Sequence, residues 1–171
     1  MTYQHTWNIS KGAALVALGF AIATCTAIAK PDRTAAASNV VASVNKMVEE
    51  EGRLYMRAMS MGQQASWIEF AKFAKTIDDL RIGITSETQN YRYAIDKVDD
   101  FSARMTATAK IPGIKSYVAS VFGIGEKDLG NSVAIICATE TPSQTSPAPP
   151  LPSKSGSPPT CAAGSSLVDR L

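Results

Sequence analysis

The sequence has one histidine, His5, in 171 residues. It lies in a stretch, residues 1–29, that reads as an export signal or membrane anchor, so the remainder carries no imidazole. That excludes Ser-His and Cys-His nucleophile pairs and histidine-bearing metal sites. Cysteine is scarce too: with Cys25 in the apolar stretch, Cys137 and Cys161 remain, too few for a four-ligand zinc site. They suit a single disulfide in an oxidising compartment, with two unpaired thiols as the alternative. Aromatic residues make up 7% of the chain. With alanine plentiful, that favours helices packed through small residues over a large aromatic core. No sign of charge dominates, at 17 basic against 15 acidic residues. Setting Lys11 aside with the N-terminal stretch leaves 16 against 15, or +1, and no basic cluster marks a nucleic-acid face.

Phosphate-binding loops are missing as well. Gly123-x-Gly125 and Gly130 have the wrong spacing, and no Lys-Ser/Thr pair follows them. The carboxylates come in runs, Glu49-Glu50-Glu51, Asp78-Asp79 and Asp99-Asp100. Adjacent acids on a helix diverge, so these form no facing dyad and read as solvated surface. Neither a catalytic group nor a cofactor site is expected, and the chain reads as a non-enzyme.

What the sequence does have is an unbroken apolar run, Gly12–Ala29, behind a short polar head. Ala27 and Ala29 occupy the −3 and −1 positions of an A-x-A cleavage site, and Pro31 stops any continuing helix, the layout of a secretory signal. At about 18 residues the run is also at the lower limit for spanning a bilayer, so a retained single-pass anchor is the competing reading. Basic residues flank both ends (Lys11; Lys30 and Arg33), so charge does not choose between them. Ile22-Ala23-Thr24-Cys25 additionally resembles the box before a lipidated cysteine, with Thr24 where a smaller residue is usual. On either reading the rest of the chain works on the secreted, periplasmic or extracellular side.

Three further zones follow: a linker at 30–37, an ordered domain at 38–138, and a Pro/Ser/Thr-rich tail at 139–171. Proline lacks an amide donor and fixes φ, so the tail is expected to be disordered, extended and solvated. The ordered zone reads as mainly α. From Ser38, a plausible N-cap, small or apolar residues recur at three- and four-residue steps: Val41, Val44, Val48, Tyr55, Ala58, Gly62 and Ala65. A shifted stripe continues through Trp67, Phe70, Ala74 and Ile77. Another carries Tyr91, Ile95 and Val98 up to the break at Pro112-Gly113. This is the period of one helical face. Gly83 can cap one helix and Ser86/Gln89 can box the start of the next, which gives a helical hairpin or small bundle. A continuous coiled-coil-like rod is the alternative. Ile114, Tyr117, Val118, Val121 and Phe122 fit a short helix. Ser132–Ala138 fits either a buried strand or a last helical segment.

The expectation is therefore an exported or membrane-tethered helical protein, a structural or interaction component of a cell-envelope assembly. Its partner is another protein or a second copy, met through helical faces, and a membrane if residues 12–29 are retained. The candidate interaction face is Trp67, Phe70, Ala74, Ile77, Tyr91, Ile95 and Val98, and the candidate disulfide is Cys137 with Cys161. The alternative is a membrane-acting secreted protein, a lysis accessory or toxin, inserting through residues 114–138.

Overall fold

The computed structural model describes residues 33–125, 130–152 and 157–171. The apolar run 12–29, with Cys25, lies outside them. Helix α1 spans Arg33–Phe70, beginning within the stretch read as a linker. A one-turn 3-10 helix, Asp78–Leu80, follows. Five strands complete the described chain: β1 Tyr91–Val98, β2 Ser102–Ala109, β3 Tyr117–Gly123, β4 Ser132–Thr139 and β5 Ser165–Arg170. They form one antiparallel sheet in the order β1-β2-β3-β4-β5. This corrects the mainly α expectation, whether hairpin, bundle or coiled-coil rod: one helix lies against a five-stranded sheet. No described helix is long and apolar enough to cross a membrane.

The strands follow from patterns of period two. In β2, Ala103, Met105, Ala107 and Ala109 are buried on one face, and Ser102, Arg104, Thr106 and Thr108 alternate onto the other. In β1, Tyr91 and Tyr93 point into the core. Tyr91, Ile95 and Val98 also satisfy a three/four spacing, which is why that segment passes for a helix. Strands β3 and β4 are nearly continuous apolar runs because both faces of the sheet are covered there. Tyr117 to Phe122 is thus strand, not helix, and the two readings of Ser132–Ala138 resolve to strand. Together these strands hold most of residues 114–138 in the middle of the sheet, so membrane insertion through them would dismantle the core.

The helix seats on the sheet through Gly52, Met56, Met59, Gln63 and Trp67, all buried and spaced by three or four residues. Close approach sets the residue sizes. A Cβ on Gly52 would lie 2.7 Å from the Tyr91 ring, and one on Gly123 would lie 2.4 Å from the Trp67 ring. The sheet answers with small side chains, Ala103, Ala107, Ala119, Ala134 and Ala138, beneath the large ones of the helix. Gln63, fully buried, bonds both ways with Ala74: its Nε2 donates to the Ala74 carbonyl and its Oε1 accepts the Ala74 amide, each at 2.9 Å. That satisfies the amide and anchors the chain leaving α1. The helix ends without a glycine. Ala71 takes the left-handed conformation, φ 50°, and its amide caps the Trp67 carbonyl at 3.0 Å.

The acidic run Glu49–Glu51 is only partly a solvated face. Glu50 faces solvent and pairs with Arg53, whose hydrogen bond holds the carboxyl below its usual range. Glu51 turns inward and accepts from Thr88 Oγ1 at 2.6 Å, Asn90 Nδ2 at 2.7 Å and Tyr93 OH at 3.3 Å. The Tyr117 hydroxyl donates to the Glu49 carbonyl and the Tyr91 hydroxyl to the Lys115 carbonyl, each at 3.0 Å. Burial, with Glu49 nearby, pushes Tyr117 up to about 12, and burial displaces Tyr91 and Tyr93 upward too. In the unfolded chain these phenols ionise near ~10. The unfolded state therefore sheds protons first, and stability that is fully present below ~10 falls as pH rises toward 12. Thermal unfolding between pH 8 and 12 should show a melting temperature that is flat at first and drops beyond pH 10. Replacing Tyr117 by phenylalanine should make that drop shallower.

The C-terminal segment is not a free tail. Ser143 donates its amide to the Ile114 carbonyl at 3.0 Å, and the buried Ser116 Oγ donates to the Ser143 carbonyl at 2.6 Å. Gln144 Nε2 donates to the Lys110 carbonyl at 2.7 Å. Leu151 and Thr160 exchange backbone bonds, and Pro150 and Pro159 are buried. The segment crosses the sheet face opposite α1, over Val118, Ile135 and Cys137, then returns to form β5. Proline's missing donor keeps it out of the ladder but does not stop it lying flat on an apolar face. Disorder was expected from composition alone; the cover it gives to an apolar sheet face overrides that.

Candidate assembly interface

Helix α1 carries a second apolar stripe facing away from the sheet. Val40, Met47, Leu54, Met61 and Ile68 stand seven residues apart, and Leu54, the least exposed of them, is 50% accessible. Val44 extends the stripe at its N-terminal end, also exposed, and Ala58 and Ala65 lie between the larger residues. Seven residues turn an α-helix through two turns less about 20°, so these positions share a slowly drifting face. Leu54 and Met61 each sit roughly 140–180° around the helix from the seated residues Gly52, Met56, Met59 and Gln63. The stripe runs ~42 Å along the helix at 1.5 Å per residue.

An isolated exposed leucine needs no explanation, but five large apolar side chains in register along one helix face form a continuous surface. A strict seven-residue repeat is the pattern that lets a second helix lie alongside with a left-handed twist. Charges border it: Lys46, Glu50, Arg53 and Arg57, with the Glu50–Arg53 pair formed within the helix. Arg57 is drawn to the body by Asp169 at 2.6 Å. Asn45 ties the helix to the body, its Nδ2 donating to the Gly113 carbonyl at 3.0 Å. Val40, Val41 and Val44, all before that tie, are exposed.

The face expected from sequence is dispersed by the fold. Trp67 is buried at the end of α1, stacked on Phe73 at 4.7 Å with its Nε1 donating to the Asn131 carbonyl at 3.1 Å. Phe70 is exposed one turn further on, and Ala74 is buried in the loop beyond. Ile77 is half-buried before the 3-10 helix. Tyr91 is buried in β1, where Ile95 and Val98 are half-buried. These residues do not make one helical stripe; most belong to the core between helix and sheet. Cys137 in β4 bonds to Cys161, with Cα atoms 5.8 Å apart, and so ties the covering segment to the sheet. The outward stripe is not among those expected residues, although its seven-residue spacing is plain in the sequence. Val41, Val44, Val48 and Tyr55 drew the reading to a neighbouring line of residues.

The family model described as type IV pilin-like G and H matches residues 49–162, more than half of the chain. That range covers the seated part of α1, the strands to β4 and the segment up to Cys161. No curated protein and no solved structure matches.

Proposed function

The chain belongs to the type IV pilin-like G and H family, and we propose that it is a structural subunit of a pilus-type assembly of the cell envelope. Family membership supports an assembly component on the extracellular or periplasmic side. The finer reading, joining to neighbouring subunits through the outward stripe of α1, rests on the exposed repeat Val40, Met47, Leu54, Met61 and Ile68. The part of α1 before Asn45 extends the apolar surface toward the N-terminus, where the sequence continues into the run 12–29. In this reading the helix presents one apolar line to the sheet and another to its neighbours, and the sheet holds the helix straight. Chemistry is not required of any residue; the work is packing.

Burying a large apolar side chain contributes about 1.5–3 kcal/mol. Losing two of them, with a charge put in place of each, weakens association by at least ~100-fold. Leu54→Glu with Met61→Glu should therefore abolish incorporation of the full chain into its envelope assembly, read by co-sedimentation with the sheared surface fraction. Both positions face solvent, so the melting temperature of the double variant should stay within a few degrees of the parent. Normal incorporation of a folded double variant would remove the stripe from the account.

A further inference from the structure

The face of the sheet opposite α1 holds a groove of its own. It has a volume of about 770 Å³ and lies between the sheet and Pro149-Pro150-Leu151-Pro152 of the covering segment. Its floor is Arg104 of β2 with Ser120 and Phe122 of β3, and Lys97 and Asp99 stand at the rim. The size is that of a small-molecule site, typically ~300–1,000 Å³. We propose that this groove binds a short neutral oligosaccharide.

Three observations carry the assignment. First, the polar groups offer donors and acceptors in balance. Arg104 Nε donates to Asp96 Oδ1 at 2.8 Å, which leaves its terminal nitrogens without a partner among the described residues. Lys97 Nζ stands 3.8 Å from Asp99 Oδ2. Asp99 takes hydrogen bonds from the Ser102 hydroxyl at 2.8 Å and the Phe101 amide at 3.0 Å. Burial acts to raise its carboxyl, but these bonds outweigh it and hold the group below its usual range. With two cations matched by two carboxylates, an ionic ligand gains little net attraction, whereas adjacent hydroxyls, each both donor and acceptor, meet both kinds of group.

Second, Ser120 is only 4% exposed, yet it borders the groove, and its hydroxyl has no partner among the described residues. A side chain this enclosed and still open toward the groove marks a built surface, not a chance crease. Third, Phe122 and the proline segment put flat apolar surface beside those polar groups, matching the C–H face of a pyranose ring. A peptide added as a strand is disfavoured, because β2 and β3 are both interior and their ladders are filled on either side.

The groove is on the other side of the sheet from the α1 stripe, so this inference does not depend on the assembly reading. The test is calorimetric titration of the disulfide-intact full chain in detergent micelles. The probes are maltotetraose, cellotetraose, mannotetraose, tetragalacturonate and an eight-residue polyproline peptide. At least one neutral tetrasaccharide should bind with a Kd on the order of 1 mM, little changed between 50 and 500 mM salt. Phe122→Ala should weaken it at least ~10-fold. Ser120→Ala, a minimal change that keeps the fold if Phe122→Ala does not, should weaken it ~3–10-fold. The proposal is overturned if no neutral sugar binds, if binding survives unchanged in a folded Ser120→Ala chain, or if only the uronate or the peptide binds.

Discussion

Replacing Trp67 by alanine lowers the stability of the domain by about 3–5 kcal/mol, the range for truncating a fully buried tryptophan. Against a total of ~5–15 kcal/mol for a typical domain, that is a large fraction of what keeps the chain folded. Trp67 joins parts far apart in sequence. It is the last seated residue of α1, stacks on Phe73 after the helix, and has Phe101 of the β1–β2 turn at 6.2 Å. Its Nε1 holds the Asn131 carbonyl just before β4, and its ring lies over Gly123 at the end of β3. Alanine would leave a cavity among rigid strands and remove one of the two hydrogen bonds that the Asn131 carbonyl accepts, the Ile124 amide keeping the other at 2.8 Å. Chemical denaturation should show a midpoint shift with an unchanged slope, and Trp67→Phe should recover part of the loss. A Trp67→Ala chain within 1 kcal/mol of the parent would mean that helix and sheet are joined elsewhere. The same geometry predicts damage from the other side, since a Cβ on Gly123 would occupy space held by the Trp67 ring.

Cutting the bond between Cys137 and Cys161 costs about 3.5 kcal/mol, the loop-closure value for a sequence separation of 24 residues. The loss has a second part, specific to this fold. Cys137, Val118 and Ile135 are buried on the sheet face that the covering segment shields. Without the bond, the segment keeps its hydrogen bonds near Ser143 and Ser146 but loses its second anchor next to β5. A Cys137→Ser, Cys161→Ser chain should bind a hydrophobic dye that the parent excludes. Its amides at Ala148, Leu151 and Thr160 should exchange faster than the same amides of the parent, and the melting temperature should fall roughly 6–12 °C. Equal exchange in the two chains would show that the proline segment holds itself in place.

The sequence revealed less of the fold than of its compositional character. Apolar residues at three- and four-residue steps were correctly read as a helix from Ser38 onward, because α1 does carry apolar lines along it. The reading failed past Phe70. The helix stops there on Ala71 in a left-handed conformation, a position where glycine would have announced the end and alanine did not. Strand β2 was legible and overlooked: Ser-Ala-Arg-Met-Thr-Ala-Thr-Ala alternates strictly, with threonines on the outer face. Plentiful alanine reads as helix, although here it is small because a helix lies close above it. Strand β1 was ambiguous, since Tyr91, Ile95 and Val98 satisfy the helical spacing while Tyr91 and Tyr93 satisfy the strand's. The covering segment was hidden by composition. Its order comes from tertiary bonds to Ile114, Ser116 and Lys110 and from Cys161, none of which leaves a local pattern. The outward stripe of α1 was fully present in the spacing of Val40, Met47, Leu54, Met61 and Ile68. What sequence withheld was which face the sheet would take.

The most direct measurement places a photo-crosslinking amino acid at Met47, Leu54 or Met61 in the full chain, in its native envelope, with Thr76 and Arg92 as exposed control sites away from the stripe. The account predicts crosslinked products containing a second pilin-like subunit from each of the three stripe positions and from neither control. Products from the controls alone, or none from the stripe in an assembly that has visibly incorporated the protein, would contradict it.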